Sequence, residues 1–216
     1  ALYGASGVGQ AAQNAMNTVW QVPRNDRPNP IFSRFRSLLL LTVLAMTLVG
    51  TAVLSTFAGL PGPLGALEGV TIGLLAVVIN SAVFTIAYRL STSNDVSYRD
   101  VLPGAVAMAI VWQLLQTFGT VYVTQVVKNA STTNSVFAVV LGLLAFFYLT
   151  SIAVVFTAEI NVVRVHHLYP RALLTPFTDA VDLTHGDRKT YTRQAKAQRA
   201  KGFEHVDVTF RKNDDT

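Results

Sequence analysis

Residues 129–158 read NASTTNSVFAVVLGLLAFFYLTSIAVVFTA, thirty residues without one charge. Residues 37–67, 69–88 and 101–127 are equally charge-free, and only Glu68 and Lys128 interrupt the two halves. An α-helix rises about 1.5 Å per residue, so roughly 20 apolar residues cross the hydrocarbon core of a bilayer. A water-soluble helix of such length needs a charged face, and these stretches have none. The pattern predicts an all-α, polytopic transmembrane bundle with four spans. β-Barrel strands are excluded, because they need short alternating segments rather than long apolar runs.

Composition agrees. The chain is 51% hydrophobic and 13% charged, whereas a soluble domain carries about 25% charge. It has no cysteine, so disulfide, thiolate and iron–sulfur chemistry are excluded. No basic segment precedes residues 1–20, so they do not read as a secretory signal. The start at Ala1 reads as a fragment whose upstream part is missing.

The predicted spans run about Ser37–Leu60, Gly65–Leu90, Asp100–Val127 and Val136–Val163. Gly59-Leu60-Pro61-Gly62-Pro63 turns the chain after the first. Asp100 is the expected N-cap of the third, and Pro103 is tolerated in its first turn. The organisation is therefore residues 1–20, a four-span domain over 37–163, and a tail over 164–216. Lys and Arg number 4 before span one, 2 between spans two and three, and 10 after span four. The two opposite loops hold 0 and 1. The positive-inside rule then places both ends, and the loop over 89–100, in the cytoplasm.

Residues 1–20 are charge-free but less apolar. Val8, Ala12, Ala15, Met16 and Val19 share one helical face, with Gln10, Gln13, Asn14 and Asn17 mostly opposite. This fits a helix on the cytoplasmic side or the end of an upstream span packed in the bundle. In the tail, Thr184-His185-Gly186-Asp187 reads as a capping box opening a helix over about 185–201, ending at Gly202. Its Arg188, Lys189, Arg193, Lys196 and Arg199 either contact anionic headgroups or are simply solvated. The tail has no stacking platform and no nucleic-acid-binding module, so nucleic acid is not an expected partner.

Inside the spans, Gly65, Gly69 and Gly73 repeat every four residues and predict close helix packing. Asn80 lies near the middle of span two, and Gln113 and Gln116 share a face of span three. An unpartnered amide in hydrocarbon costs several kcal/mol, so these must face protein or water. They are read either as the lining of a substrate pathway or as interhelical hydrogen bonds. Glu159 and Asn161 near the end of span four are candidates for the same pathway. Glu159 alternatively pairs with Arg164 or Arg89, or relays protons. His166 and His167 diverge on a helix and have no third ligand, so no metal site is expected. Walker A, GxSxG and HExxH sequences are absent; neither a cofactor nor enzymatic chemistry is expected.

Three segments together resemble a known family. Leu2-Tyr3-Gly4-Ala5-Ser6 leads into a Gln/Asn-rich helix ending Asn17-Thr18-Val19-Trp20, followed by Arg24 and Arg27. Tyr98-Arg99-Asp100-Val101-Leu102-Pro103-Gly104-Ala105 opens span three, with Trp112 and Phe118 beyond. Thr157-Ala158-Glu159-Ile160-Asn161 closes span four. These resemble the YihY/BrkB family of bacterial inner-membrane proteins, and Leu174-Thr175-Pro176-Phe177 with Tyr191-Thr192-Arg193 resembles its actinobacterial members. The resemblance implies six spans and cytoplasmic termini. Thr157 stands where many relatives have glycine, which would loosen packing there.

Members of the family have been described as a ribonuclease, as virulence or serum-resistance factors, and as exporters of lipid-like molecules. Four scattered histidines speak against metal-dependent RNA cleavage. The resemblance therefore implies transport or export of a lipid or other amphiphile; the alternative is a non-transporting scaffold or accessory subunit of an envelope complex. The implied partners are membrane lipids and either a second copy of the chain or an envelope protein.

Overall fold

The computed structural model describes residues 2–58, 66–93, 95–129, 132–170 and 182–210. Among these, six α-helices and no strand occur: α1 Leu2–Val19, α2 Pro30–Ala58, α3 Ala66–Ser91, α4 Tyr98–Tyr122, α5 Thr132–His166 and α6 His185–Ala197. Helices α2 to α5 are the four long and apolar enough to cross a membrane. The fold is the all-α polytopic bundle that the charge-free runs predict.

Helix α3 packs between α2 and α4, α4 against α5, and α1 against α2, α3 and α5. Contacts from Asn17 to Ser93, Trp20 to His166 and Arg164 to Arg99 gather one set of helix ends, here called the tail end. At the far end the Tyr122 hydroxyl donates to the Ala138 carbonyl at 2.8 Å. The buried core sits toward the tail end, around Met16, Trp20, Tyr88, Val101, Met108 and Val162. Along α5, Phe137, Leu141, Leu144, Phe147 and Tyr148 are exposed, as a lipid-facing wall requires. Lipid tails are as apolar as leucine, so close packing and hydrogen bonds must hold these helices together.

Helix α2 begins at Pro30, earlier than the predicted Ser37. Its foot carries the charged Arg34 and Arg36, which lie outside the charge-free run. Helix α4 begins at Tyr98 with Ser97, not Asp100, in the N-cap position. After Tyr122 it winds into a π-helical turn over Val123–Val127, which nothing in the sequence announces.

Helix α1 is packed in the bundle, but its buried stripe crosses both predicted faces. Gln13, Met16, Asn17 and Trp20 are buried, while Val8 is 67% exposed. Gln13 Nε2 donates to Ser37 Oγ at 2.8 Å and to the Ser33 carbonyl at 3.0 Å. Gly9 lies so close to Ser37 that a side chain there would meet its Cβ. Asn17 Oδ1 accepts from the Ser93 amide at 2.8 Å. The buried amides thus satisfy polar groups of other segments, as burial demands.

The α1 C-terminus is a Schellman motif without glycine. The Gln21 amide donates to the Thr18 carbonyl, and the Val22 amide to the Asn17 carbonyl. Gln21 has φ 55°, a left-handed conformation costing a side-chain-bearing residue about 1 kcal/mol.

The capping box of α6 forms as predicted. Thr184 Oγ1 accepts from the Asp187 amide at 3.3 Å, and Asp187 Oδ2 accepts from the Thr184 amide at 2.8 Å. The helix ends at Ala197, before Gly202. It is also neither free nor simply solvated. Gly186 abuts the Tyr169 carbonyl so closely that a Cβ would overlap it. Arg193 Nε donates to Gln21 Oε1 at 3.0 Å, and burial lowers its pKa from the ordinary arginine value. Arg199 Nε donates to Asn25 Oδ1 at 3.0 Å, Nη2 reaches Asp26 Oδ2 at 3.4 Å, and the Arg199 carbonyl accepts from the Asn25 amide.

Arg193 and Arg199, proposed for headgroups, are therefore engaged on the α1–α2 connection. Arg199→Ala should raise the rate of proteolytic removal of the tail about fivefold, the effect of losing about 1 kcal/mol of docking. The bundle's Tm should stay unchanged. An unaltered cleavage rate would show that these bonds do not hold the tail.

Candidate functional site: a charged cavity beside a helix clasp

Pro103 lies inside α4 and has no N–H, so the Arg99 carbonyl lacks its usual helical donor. Arg164 of α5 supplies one, with Nη2 donating to the Arg99 carbonyl at 2.7 Å. Asn161, fully buried one turn earlier on α5, uses both ends of its amide. Its Oδ1 accepts from the Gly104 amide at 2.7 Å, and its Nδ2 donates to the Val101 carbonyl at 3.0 Å. This is how a proline-interrupted helix is tolerated in a membrane: a neighbouring helix satisfies the loosened backbone groups. Gly104 is required because a Cβ would overlap the Thr157 carbonyl oxygen and the Asn161 amide.

Several expectations change accordingly. Asn161 belongs to the clasp, and both ends of its buried amide are engaged there. Thr157 does not loosen the packing. It is 2% exposed, and its hydroxyl meets the Tyr88 hydroxyl of α3. The Thr157 hydroxyl also reaches the Ala153 carbonyl at 2.7 Å and the Tyr88 hydroxyl the Val154 carbonyl at 3.2 Å, so either can donate to the other. Close approach is made at Gly104, and by Gly142 against the Tyr122 ring, rather than at Gly73, where a Cβ would meet nothing within 4 Å. Gly65 and the surroundings of Gly69 lie outside the described residues.

Next to the clasp, a cavity of about 990 Å³ opens between α1, α5 and α6. Asn14, Ala15, Thr18 and Val19 of α1 form one wall, and Tyr191, Gln194, Ala195 and Gln198 of the α6 region form the second. Val155 and Glu159 of α5 form the third, and Gln21, Arg24 and Arg27 lie at the α1 end. Glu159 is seven residues before His166 and Val155 eleven, so the cavity climbs about 10 to 16 Å up α5. It thus joins the polar tail end to the depth of the spans.

Glu159 makes no ion pair or hydrogen bond among the described residues. Its expected partners are engaged elsewhere. Arg164 caps the Arg99 carbonyl, while Arg89 pairs with Asp95 at 3.7 Å and lies 4.1 Å over the Tyr98 ring. The side chains of Arg24 and Arg27 are equally unpaired among the described residues, and Arg27 Nε is buried without an acceptor. Two guanidiniums and one carboxylate therefore face the same space without meeting. Sequence reading found Glu159, but it missed Arg24 and Arg27 as site residues, because they look like ordinary membrane-flanking charges. No group of three or more metal-ligating side chains occurs among the described residues.

A protein-family model described as Virulence factor BrkB matches residues 1–177. The chain belongs to the BrkB family. No curated protein and no solved structure matches it significantly. The family match contains the clasp together with Arg24, Arg27 and Glu159, and it ends before α6. The cavity of this BrkB-family protein is therefore walled by family residues on two sides and by its own tail on the third.

The remaining predicted pathway residues do not converge on the cavity. Asn80 is 1% exposed, and both polar atoms of its amide lack a partner among the described residues. Gln113 and Gln116 are partly exposed on α4, and their side chains form no hydrogen bond among the described residues. Of the tail cations, Arg188 and Lys196 are exposed and Lys189 is half-buried. An orphaned buried amide is costly, so Asn80→Leu should raise stability in detergent by about 1 to 2 kcal/mol. A clear loss of stability on thermal melting would show instead that the amide is satisfied in the membrane.

Proposed function

We propose that this BrkB-family protein moves a lipid or other amphiphile between the cytoplasmic side and the bilayer. The tail end is assigned to the cytoplasm, in keeping with the distribution of lysine and arginine. The observation that carries the reading is the cavity of about 990 Å³ lined by the exposed Arg24 and Glu159 and the half-buried Arg27, none of them paired among the described residues. Charges at a membrane boundary are normally paired or snorkel to water, and intramembrane ionisable groups are functional candidates by default. The lining mixes these charges with the apolar Ala15, Val19 and Val155, which suits a molecule with both charged and apolar parts.

The rival reading is a scaffold, favoured by the tight seam of Gly104, Thr157 and Asn161, which leaves no polar route through the α4–α5 contact. Reconstitution separates the two. Vesicles containing the protein should translocate a fluorescent phospholipid at least tenfold faster than protein-free vesicles. Glu159→Leu with Arg27→Leu should return the rate to the protein-free level at equal incorporation. A wild-type rate no faster than empty vesicles would leave the scaffold.

A further inference from the structure

We propose that the cavity selects a zwitterionic headgroup, one bearing a phosphate and a primary ammonium. This rests on the amphiphile reading above and adds the chemical class. Arg24 and Arg27 present guanidiniums from the segment after α1, and Glu159 presents a carboxylate from α5. Opposite charges lining one space would pair if they could reach each other, yet none of the three has an ion-pair partner among the described residues. The space they line offers complementary charge to a ligand that carries both a phosphate and an ammonium. The phosphate lies at the arginines, which bind phosphate through forked N–H donors, and the ammonium lies at Glu159.

Gln21, Gln194 and the Tyr191 hydroxyl supply further hydrogen-bonding groups along the wall. Gln21 is fixed there by its left-handed backbone and by the bond from Arg193. An anionic headgroup without the amine would face Glu159 with an unpaired negative charge. A cationic one without phosphate would leave both guanidiniums unanswered. The apolar residues Ala15, Val19, Val155 and Ala195 in the lining separate a lipid from its free headgroup.

Binding to the full chain in nanodiscs tests this, with dihexanoyl-phosphatidylethanolamine, dihexanoyl-phosphatidylglycerol and water-soluble glycerophosphoethanolamine as probes. The ethanolamine lipid should bind about tenfold tighter than the glycerol lipid and at least tenfold tighter than the free headgroup. Glu159→Gln should bring the two lipids within twofold of each other, and Arg27→Gln should weaken both at least fivefold. Glu159 makes no hydrogen bond or ion pair among the described residues that the exchange would break, and unchanged melting of each variant confirms folding.

Equal binding of the two lipids by wild type, or a preference that survives Glu159→Gln, overturns the proposal. Equal binding of lipid and free headgroup overturns the lipid assignment in favour of a soluble phosphoamine. Translocation without headgroup preference refutes this site and leaves transport standing. Preference without translocation supports the site and refutes transport.

Discussion

Gly104→Ala should lower the stability of the solubilised protein by about 3 kcal/mol or more, read as a fall in Tm and in expression. The single added methyl has nowhere to go. It meets the Thr157 carbonyl, which is backbone, and the Asn161 amide, which is already held by two hydrogen bonds. Overpacking of this kind costs about 1 to 3 kcal/mol by itself. Displacing Asn161 adds the cost of buried backbone groups left unpaired. The same exchange at Gly73, which has nothing within 4 Å, should cost little. Equal effects at the two glycines would mean that the α4–α5 contact is not the one described.

Asn161→Leu should be comparably damaging for the opposite reason. It fills the site but strands the Gly104 amide and the Val101 carbonyl, at about 1 to 3 kcal/mol each. Asn161→Ala combined with Gly104→Ala should cost less than the sum of the single changes, because the smaller side chain makes room for the methyl. Strict additivity in thermal melts would contradict direct contact between the two residues.

The spans were legible because hydrocarbon tolerates so little charge that runs free of it can be read directly. Helix ends were less legible, since Arg34 and Arg36 sit on the foot of α2 and still belong to it. Asn161 was singled out from sequence but given a role in a pathway. Helix geometry alone could have suggested the clasp: Pro103 leaves a carbonyl without its donor, and a nearby buried amide is the natural remedy. At Gly73 the glycine spacing was a weaker guide than the single Gly104, because a periodic stripe says which residues align and nothing about what faces them.

The docking of α6 was illegible for a different reason. Gln21 and Arg193 are 172 residues apart, and no local pattern links them. The left-handed turn at Gln21 has no glycine to betray it. Without that docking the cavity has only two walls, which is why Glu159 could be found from sequence while Arg24 and Arg27 could not be joined to it.

The proposed transport requires that an amphiphile enter the space between α1, α5 and α6. Site-specific photocrosslinking in native membranes measures this directly, with a benzophenone residue placed at Ala195 in the cavity wall and at Phe147 on the exposed face of α5. Mass spectrometry of the crosslinked protein should find lipid adducts at both positions, and the Glu159→Leu change should remove the adduct at Ala195 alone. Adducts at Phe147 with none at Ala195 would show working chemistry and an empty cavity, and would contradict the account.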